Sequence, residues 1–401
     1  MLQNRQKNSK HTTKRRNSNN GISKNVFIMG LVSLFNDIAS EMVYPTAPIF
    51  LTSMLGVSVT IVGVIEGVAD ATGSIFKIIF GWISDKLQKR KPIVVVGYLL
   101  AVIAKIILAL SYTWHLVFVS RFSDRLSKGI RTSARDALIA ESSLKSKRGL
   151  SFGFHRTMDT LGAVIGPLSA ILFIKIFNNN FHIIFFIAAV PAIIGVLLLV
   201  FFVKEKHKAP TAGHLPMFKI RGFGFPFVWF LIVSCIFAVG NSSDAFLILR
   251  AKNLGLSTIL TVFTYVTFNV TYSFLATPAG ILSDKIGAKK ILFIGFMLFC
   301  VVYAAFGFVG HKQWMWLLFP MYGVYMALTV GIGKAYISKL VPTKNLGVAF
   351  GVYQTLTGIC TLFASIIAGL LWTHVSVIAP FVFGGMMAFV AGVLFLRYIF
   401  K

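Results

Sequence analysis

Only three cysteines stand in 401 residues, at 235, 300 and 360, and all fall inside apolar stretches. They are too far apart for a metal-ligand cluster and make no disulfide framework, so they read as small buried packing residues. Acid is scarce too. Asp and Glu number 12 against 39 Lys and Arg, and 13% of the chain is charged against 56% hydrophobic. That shortage of charge excludes an ordinary soluble domain, whose surface needs more polar cover. Catalytic signatures are missing as well. There is no HExxH pair and no nucleophile elbow, and Gly331-Ile-Gly-Lys334-Ala lacks the spacing and the Ser or Thr of a phosphate-binding loop. No enzyme activity, cofactor or metal is expected.

What the chain does have is apolar runs. A spanning helix needs about 20 mainly apolar residues. Twelve spans are predicted, over 26–51, 60–82, 92–112, 115–139, 150–174, 183–203, 225–248, 258–282, 290–309, 315–338, 347–372 and 377–396. The expected fold is an all-α membrane protein of twelve transmembrane helices in two six-helix pseudo-repeats. Residues 1–24 read as a basic disordered tail, 25–203 as the first bundle, 204–224 as a linker with two prolines, and 225–401 as the second bundle. The tail has seven Lys or Arg, no acid and no signal-peptide core, and it suits the anionic head groups of a lipid bilayer.

The net charge of +27 does not point to nucleic acid, because the bases cluster between apolar segments and form no aromatic-plus-basic face. Of the 30 Lys and Arg at or beyond the span ends, 26 fall on one side; the other side has only Lys175, Arg250, Lys252 and Lys312. Basic loops stay in the cytoplasm, which puts both termini there and makes this a multi-pass protein of the cell inner membrane. A monomer is expected.

Two segments nearly copy each other 199 positions apart: Gly81-Trp-Ile-Ser-Asp85-Lys-Leu and Gly280-Ile-Leu-Ser-Asp284-Lys-Ile. Leu55-Gly56-x-Ser58 recurs at the same offset as Leu254-Gly255-x-Ser257, and Gly149-x-x-Phe-Gly153 recurs at offset 198 as Gly347-x-x-Phe-Gly351. The chain therefore uses one membrane unit twice. Parallel repeats of this kind mark many secondary transporters, with the solute site between the halves.

Ionisable residues inside spans are the informative ones, since each costs roughly 2.5–3.5 kcal/mol at mid-bilayer on insertion scales. Eight acids lie there, at 37, 41, 66, 70, 124, 136, 159 and 244, and all but Asp244 are in the first half. Asp37 and Glu41 are i,i+4 in span 1, and Glu66 and Asp70 repeat this in span 2. These four are the candidate proton carriers; the alternative is a permanent ion-pair network that only holds helices together. Span 4 has Arg121, Arg125 and Lys128 along one stripe, with Asp124 as an i,i+4 partner for Lys128. Guanidinium groups pair bidentately with carboxylate and phosphate, so the stripe reads as an anion site, as a proton switch in which Arg125 releases a carboxylate, or as neutralisation of the span 1 and 2 acids. Arg131 and Arg135 lie near the cytoplasmic end, where snorkelling or gate contacts are expected. His155 reads as a hydrogen-bonded histidine near the interface. Arg156 and Asp159 are expected to pair with each other or with span 4. In the second half Asn241, Asn269 and Gln354 are the polar candidates for substrate, with Gln354 at the repeat position of Arg156. Asp244 is expected in an outer gate with Arg250.

Gly81–Lys91 resembles the signature loop of the major facilitator superfamily, G-x-L-a-D-r-x-G-r-[RK], and Gly280–Lys290 is a second copy. The first copy departs at Gln88, where the pattern has glycine; the second keeps Gly287. The resemblance implies a gating role for Gly81, Asp85 and Arg90, and for Gly280 and Asp284, with Asp85 holding helix ends together across the cytoplasmic face. Span 5 resembles the family's antiporter motif at Gly153, Gly162, Gly166 and Pro167, with Ala170 in place of the next glycine. Arg125-x-x-x-Gly129 partly matches the arginine motif, with Lys128 where glutamine is usual. The strings around Asn36-Asp37, Asp124–Arg131 and Gly153–Gly162 resemble a poorly characterised prokaryotic branch, which some siderophore transporters resemble.

The expected function is a proton-coupled transporter that moves a small anionic or amphiphilic solute by alternating access. The antiporter resemblance favours efflux; import of an anionic chelate such as a siderophore is the alternative.

Overall fold

The computed structural model describes residues 22–87, 89–144, 147–205, 223–342 and 345–399, and the side chains of Asp85 and of 397–399 lie outside that description. Most of the predicted tail and of the 204–224 linker is likewise outside it.

Twelve long helices follow in order: α1 Lys24–Met54, α2 Val59–Leu87, α3 Arg90–Ala109, α4 Trp114–Ser142, α5 Arg148–Ile176, α6 Phe181–Phe202, α7 Phe225–Asn253, α8 Thr258–Ile286, α9 Ala288–Phe308, α10 Met315–Leu340, α11 Leu346–His374 and α12 Ala379–Ile399. Eleven are long and apolar enough to cross a bilayer. The exception, α4, carries the charged stripe, and it is tolerated because its charges face α2, α3 and an internal cavity.

The Gly-x-Ser repeat now has a local cause. Gly56 and Gly255 adopt left-handed backbone with φ of 63° and 87°, a conformation that stops a helix without the strain a Cβ would bring. Two residues later Ser257 caps α8, its hydroxyl accepting from the Leu260 N–H at 3.3 Å. Gly287, at φ 97°, ends α8 in the same way, whereas Gln88 of the first copy is outside the described residues.

Three expectations change. The signature segment is not a loop: α2 stays helical to Leu87 and α3 resumes at Arg90. Span 1 is broken at 44–46, where Pro45 removes a backbone donor, and continues as Ala47–Ile49 and a π-helical Phe50–Met54. Span 7 is broken at 241–244, between Phe225–Gly240 and Ala245–Asn253.

The repeat extends to packing. The neighbour pairs α1–α5, α1–α6, α2–α4, α3–α4 and α3–α6 recur as α7–α11, α7–α12, α8–α10, α9–α10 and α9–α12. The halves meet along α2–α11 and α5–α8, which are one contact seen from either half.

That contact is uneven along its length. Away from the basic face, α2 and α11 press together. The Thr60 hydroxyl donates to the Gly369 carbonyl at 3.0 Å and to the Thr373 hydroxyl at 2.9 Å. A Cβ on Gly63 would run into the Ser365 carbonyl, and one on Gly67 would sit 2.9 Å from the Leu362 carbonyl. Towards the basic face the contact loosens by steps: a Cβ on Gly358 would still sit 2.7 Å from Ser74 Cβ, one on Gly351 would make ordinary contact with Ile78 at 3.5 Å, and Gly347 has nothing within 4 Å. The α2–α11 contact is thus tightest away from the basic face and loosest towards it.

Candidate functional site

Between the halves lies a cavity of about 360 Å³. Its first-half wall is Asp70, Ser74 and Lys77 of α2 with Arg125, Lys128 and Thr132 of α4, and its second-half wall is α11 from Gln354 to Thr361. The lining runs from Asp70 towards Lys77 and from Arg125 towards Thr132, that is, towards the basic face.

The wall follows from helix geometry. α2 and α4 run in the same direction, and each presents two charges four residues apart, so they meet as two rungs. The upper rung is Glu66–Arg121, a bidentate pair at 2.8 and 2.6 Å with side chains 1% and 3% exposed. The lower rung is Asp70–Arg125 at 3.3 Å, with side chains 28% and 15% exposed. Identical spacing therefore gives one sealed pair and one open to the cavity. The Arg125 guanidinium lies 5.3 Å from the Tyr44 ring centroid, and among the described residues its Nε has no hydrogen-bond partner.

The sealed rung carries a prediction. Removing one partner of a buried pair strands the other charge, which typically costs about 3–5 kcal/mol, whereas replacing both leaves neither stranded. Arg121→Met should lower the thermal midpoint of the purified protein sharply, and Glu66→Gln with Arg121→Met should recover most of the loss. A double variant no more stable than Arg121→Met would show that the pair adds no coupled stability.

Asp37 and Glu41 have a different setting. Gly162 and Gly166 of α5 face them: a Cβ on Gly162 would sit 2.7 Å from Asp37 Cβ, and one on Gly166 2.8 Å from Glu41 Cβ. The glycines thus let α5 lie directly on the acidic face of α1. Pro167 is inside the same helix. Among the described residues neither acid forms an ion pair. Asp37 accepts from Asn36 Nδ2 at 3.4 Å, and Glu41 accepts from the Tyr265 hydroxyl of α8 at 3.0 Å.

Several pairings differ from expectation. Asp124 pairs with Lys105 at 3.1 Å and not with Lys128, since α3 lies on that side of α4. Asp159 lies 3.5 Å from His155 Nδ1, while Arg156 donates to the Tyr272 hydroxyl of α8 at 3.1 Å. The other His155 ring nitrogen is bonded to Ser33 Oγ at 2.7 Å. Asp244 accepts from the Tyr322 hydroxyl at 2.7 Å, and Arg250 instead donates to the carbonyls of Phe306, Gly307 and Val309. Among the described residues the two do not pair: Asp244 stands at the N-terminal end of the Ala245–Asn253 helix and Arg250 in its last turn, where the carbonyls at the end of α9 take its donors.

Of the residues singled out for solute, Arg125, Lys128 and Gln354 line the charged cavity. Asn241 lines a neighbouring pocket. Arg121 is sealed with Glu66, Asn269 is buried, and Arg156 is exposed beside Tyr272. Of the gate residues, Arg131 is buried, bonded to Ser127 and 4.7 Å from the Tyr98 ring centroid. Arg90 donates to Ser84 Oγ at 2.7 Å and lies 3.7 Å from Glu141, tying α2, α3 and α4 at the basic face. Gly81 abuts Ser133, Gly280 faces open space, and Asp284 lies 3.7 Å from Lys339. The Asp85 side chain is outside the description. Lys77 was not assigned from sequence. Its place seven residues after Asp70, on the same helical face, was the available signal. Tyr44 and Tyr265 carried none, being aromatic residues in apolar runs.

A family model described as Major Facilitator Superfamily matches residues 29–268 and 230–401. An uncharacterized MFS-type transporter of Methanocaldococcus jannaschii is 37% identical over 94% of this chain and 95% of its own. The fold resembles the crystal structure of a POT family transporter in complex with 5-aminolevulinic acid, at TM-score 0.80 and 16% identity over 94% of this chain and 96% of that one. It also resembles the nucleoside transporter NupG, at TM-score 0.79 and 14% identity over 93% and 98%.

Proposed function

This chain belongs to the Major Facilitator Superfamily of secondary transporters, and on that premise we propose that it couples protons to an anionic or amphiphilic solute through a partner exchange between Asp70 and Arg125. The observation that carries this reading is the Asp70–Arg125 pair itself. Among the described residues it is the ion pair with both members in the cavity wall.

A carboxylate, sulfonate or phosphate in the cavity lies against Arg125, with Lys128 and Lys77 lining the way to the basic face. Arg125 can hold it bidentately only by releasing Asp70. A carboxylate stranded in a low-dielectric site is neutralised by a proton. Solute and proton are therefore taken up together, and by reciprocity a proton on Asp70 frees Arg125 for solute. The halves then rock about the cavity. With the basic face cytoplasmic in an inner membrane, this linkage makes solute travel with protons, inward. Export is the second reading, favoured by the seat of Gly162 and Gly166 on the unpaired Asp37 and Glu41. A proton competing at those acids with a cationic or hydrogen-bond-donating group of an amphiphilic solute would drive efflux.

Two measurements separate the readings. Cells with the gene deleted and restored are compared for small molecules inside and in spent medium; the identified compound is then followed in proteoliposomes under imposed pH gradients. A compound left in the medium of deletion cells, with uptake driven by an inward proton gradient, is the expected result. A compound trapped inside deletion cells overturns the inward direction and selects export. Flux indifferent to the pH gradient overturns proton coupling.

A further inference from the structure

A second cavity, of about 210 Å³, opens off the first inside the second half, sharing Thr357 and Thr361 with it. Its chemistry is the opposite of the first. Phe237 and Phe296 stack at 4.5 Å between centroids, Tyr325 lies 5.9 Å from Phe237, and Tyr353 closes another side. No charged residue lines it.

Polar groups interrupt this aromatic wall: the hydroxyls of Ser234, Thr329, Thr357 and Thr361, and the amide of Asn241. Asn241 stands at the start of the break in α7. Its Nδ2 donates to the Tyr325 hydroxyl at 3.2 Å, while its Oδ1 is buried without a partner among the described residues. A buried amide oxygen left unpaired typically costs about 1–3 kcal/mol; the Asn241 side chain lines the pocket, so a small rotation of its amide turns that oxygen towards a donor arriving there.

We propose that the cargo is a two-part molecule, with an anionic head between Lys128, Arg125 and Lys77 and a flat aromatic ring system in the side pocket, where a ring N–H or O–H donates to Asn241 Oδ1. The inference rests on the anion reading above and adds the second half of the ligand. Both cavities together fall in the range of about 300–1,000 Å³ that takes drug-sized ligands. The shared threonines make one continuous path from charge to aromatic wall. A compact inorganic anion would leave the side pocket empty, and an uncharged arene would leave Lys128 and Lys77 unused. Flat rings suit the pocket because offset or edge contacts with Phe237, Phe296 and Tyr325 add to the gain from burial.

The test is calorimetric titration of the full-length protein in detergent with three probes: 6-hydroxy-2-naphthoate (head, rings and donor), acetate (head alone) and 2-naphthol (rings and donor alone). The naphthoate should bind at least about tenfold tighter than either fragment, and Asn241→Leu should weaken it about tenfold, as expected for one lost buried hydrogen bond, with acetate unchanged. Val330→Trp, which places an indole in the side pocket, should abolish the preference for naphthoate over acetate. Gel filtration and the thermal midpoint check that each variant folds; should Val330→Trp fail, Asn241→Leu carries the comparison. Equal binding of naphthoate and acetate, or variants that keep the wild-type preference, overturns the side-pocket assignment and leaves the anion site standing. Binding of 2-naphthol without either anion overturns the anion reading, and binding of none overturns both.

Discussion

Asp70→Asn should abolish flux driven by a pH gradient, by about 100-fold or more, the scale on which losing a placed proton acceptor acts. Asparagine keeps the shape of the side chain and removes the titration. It also releases Arg125 permanently, since the 3.3 Å pair has no charge left to compete with solute. Solute binding should therefore persist or tighten, and exchange of solute for solute, which needs no net proton movement, should survive. This split separates a coupling role from a structural one: a merely structural Asp70 would lose exchange and gradient-driven flux together. Asp37→Asn is the companion experiment, because Asp37 has no ion pair among the described residues. If Asp70→Asn retains wild-type pH dependence and Asp37→Asn loses it, coupling runs through the acids under α5 and the export reading gains. If both retain it, coupling through these acids is wrong.

Gly63→Val should be equally severe by a different route. A Cβ at Gly63 collides with the Ser365 carbonyl, which is part of the α11 backbone and cannot rotate away. Overpacking of this kind typically costs about 1–3 kcal/mol, and 3 kcal/mol shifts a two-state balance by about 150-fold. The penalty falls only on the arrangement in which α2 and α11 touch away from the basic face. Gly63→Val should therefore hold the cavity open to that side and stop transport without unfolding the bundle. The readout is labelling of Thr361→Cys by a membrane-impermeant maleimide, in a background with Cys235, Cys300 and Cys360 replaced by Ala. Labelling from the side opposite the basic face should rise as flux falls. Gly351→Ala is the control on the same helix pair, where a Cβ makes ordinary contact with Ile78 at 3.5 Å. Normal transport by Gly63→Val would mean that this contact is not the closed side of an alternating-access cycle.

The acids and bases of the first half were legible in the sequence because a charge inside an apolar run is conspicuous, and i,i+4 spacing assigns it to a face. Their partners were not. Asp124 could reach Lys128 on its own helix, yet it pairs with Lys105, because which neighbour covers a face depends on how α3 and α4 pack. Glu66 and Asp70 looked equivalent as candidates. One is sealed against Arg121 and the other opens to the cavity, and only the position of the second half makes that difference. The side pocket left one trace in the pattern, Asn241 as a polar residue in an apolar span, while its aromatic residues read as ordinary core.

By itself the sequence determined the medium, the number of spanning helices, the basic side and the duplication. Each is a one-dimensional quantity: length of apolar run, charge per loop, spacing between copies. Only the tertiary structure decided which intramembrane charges are sealed and which meet solute, where the contact between the halves is tight and where it loosens, and that, among the described residues, Asn241 holds an unpaired oxygen beside an aromatic pocket. Those outcomes depend on distances between helices far apart in the chain, and in a bilayer such distances are fixed by small residues such as Gly63, Gly162 and Gly166, whose effect is visible only once the opposing backbone is in place.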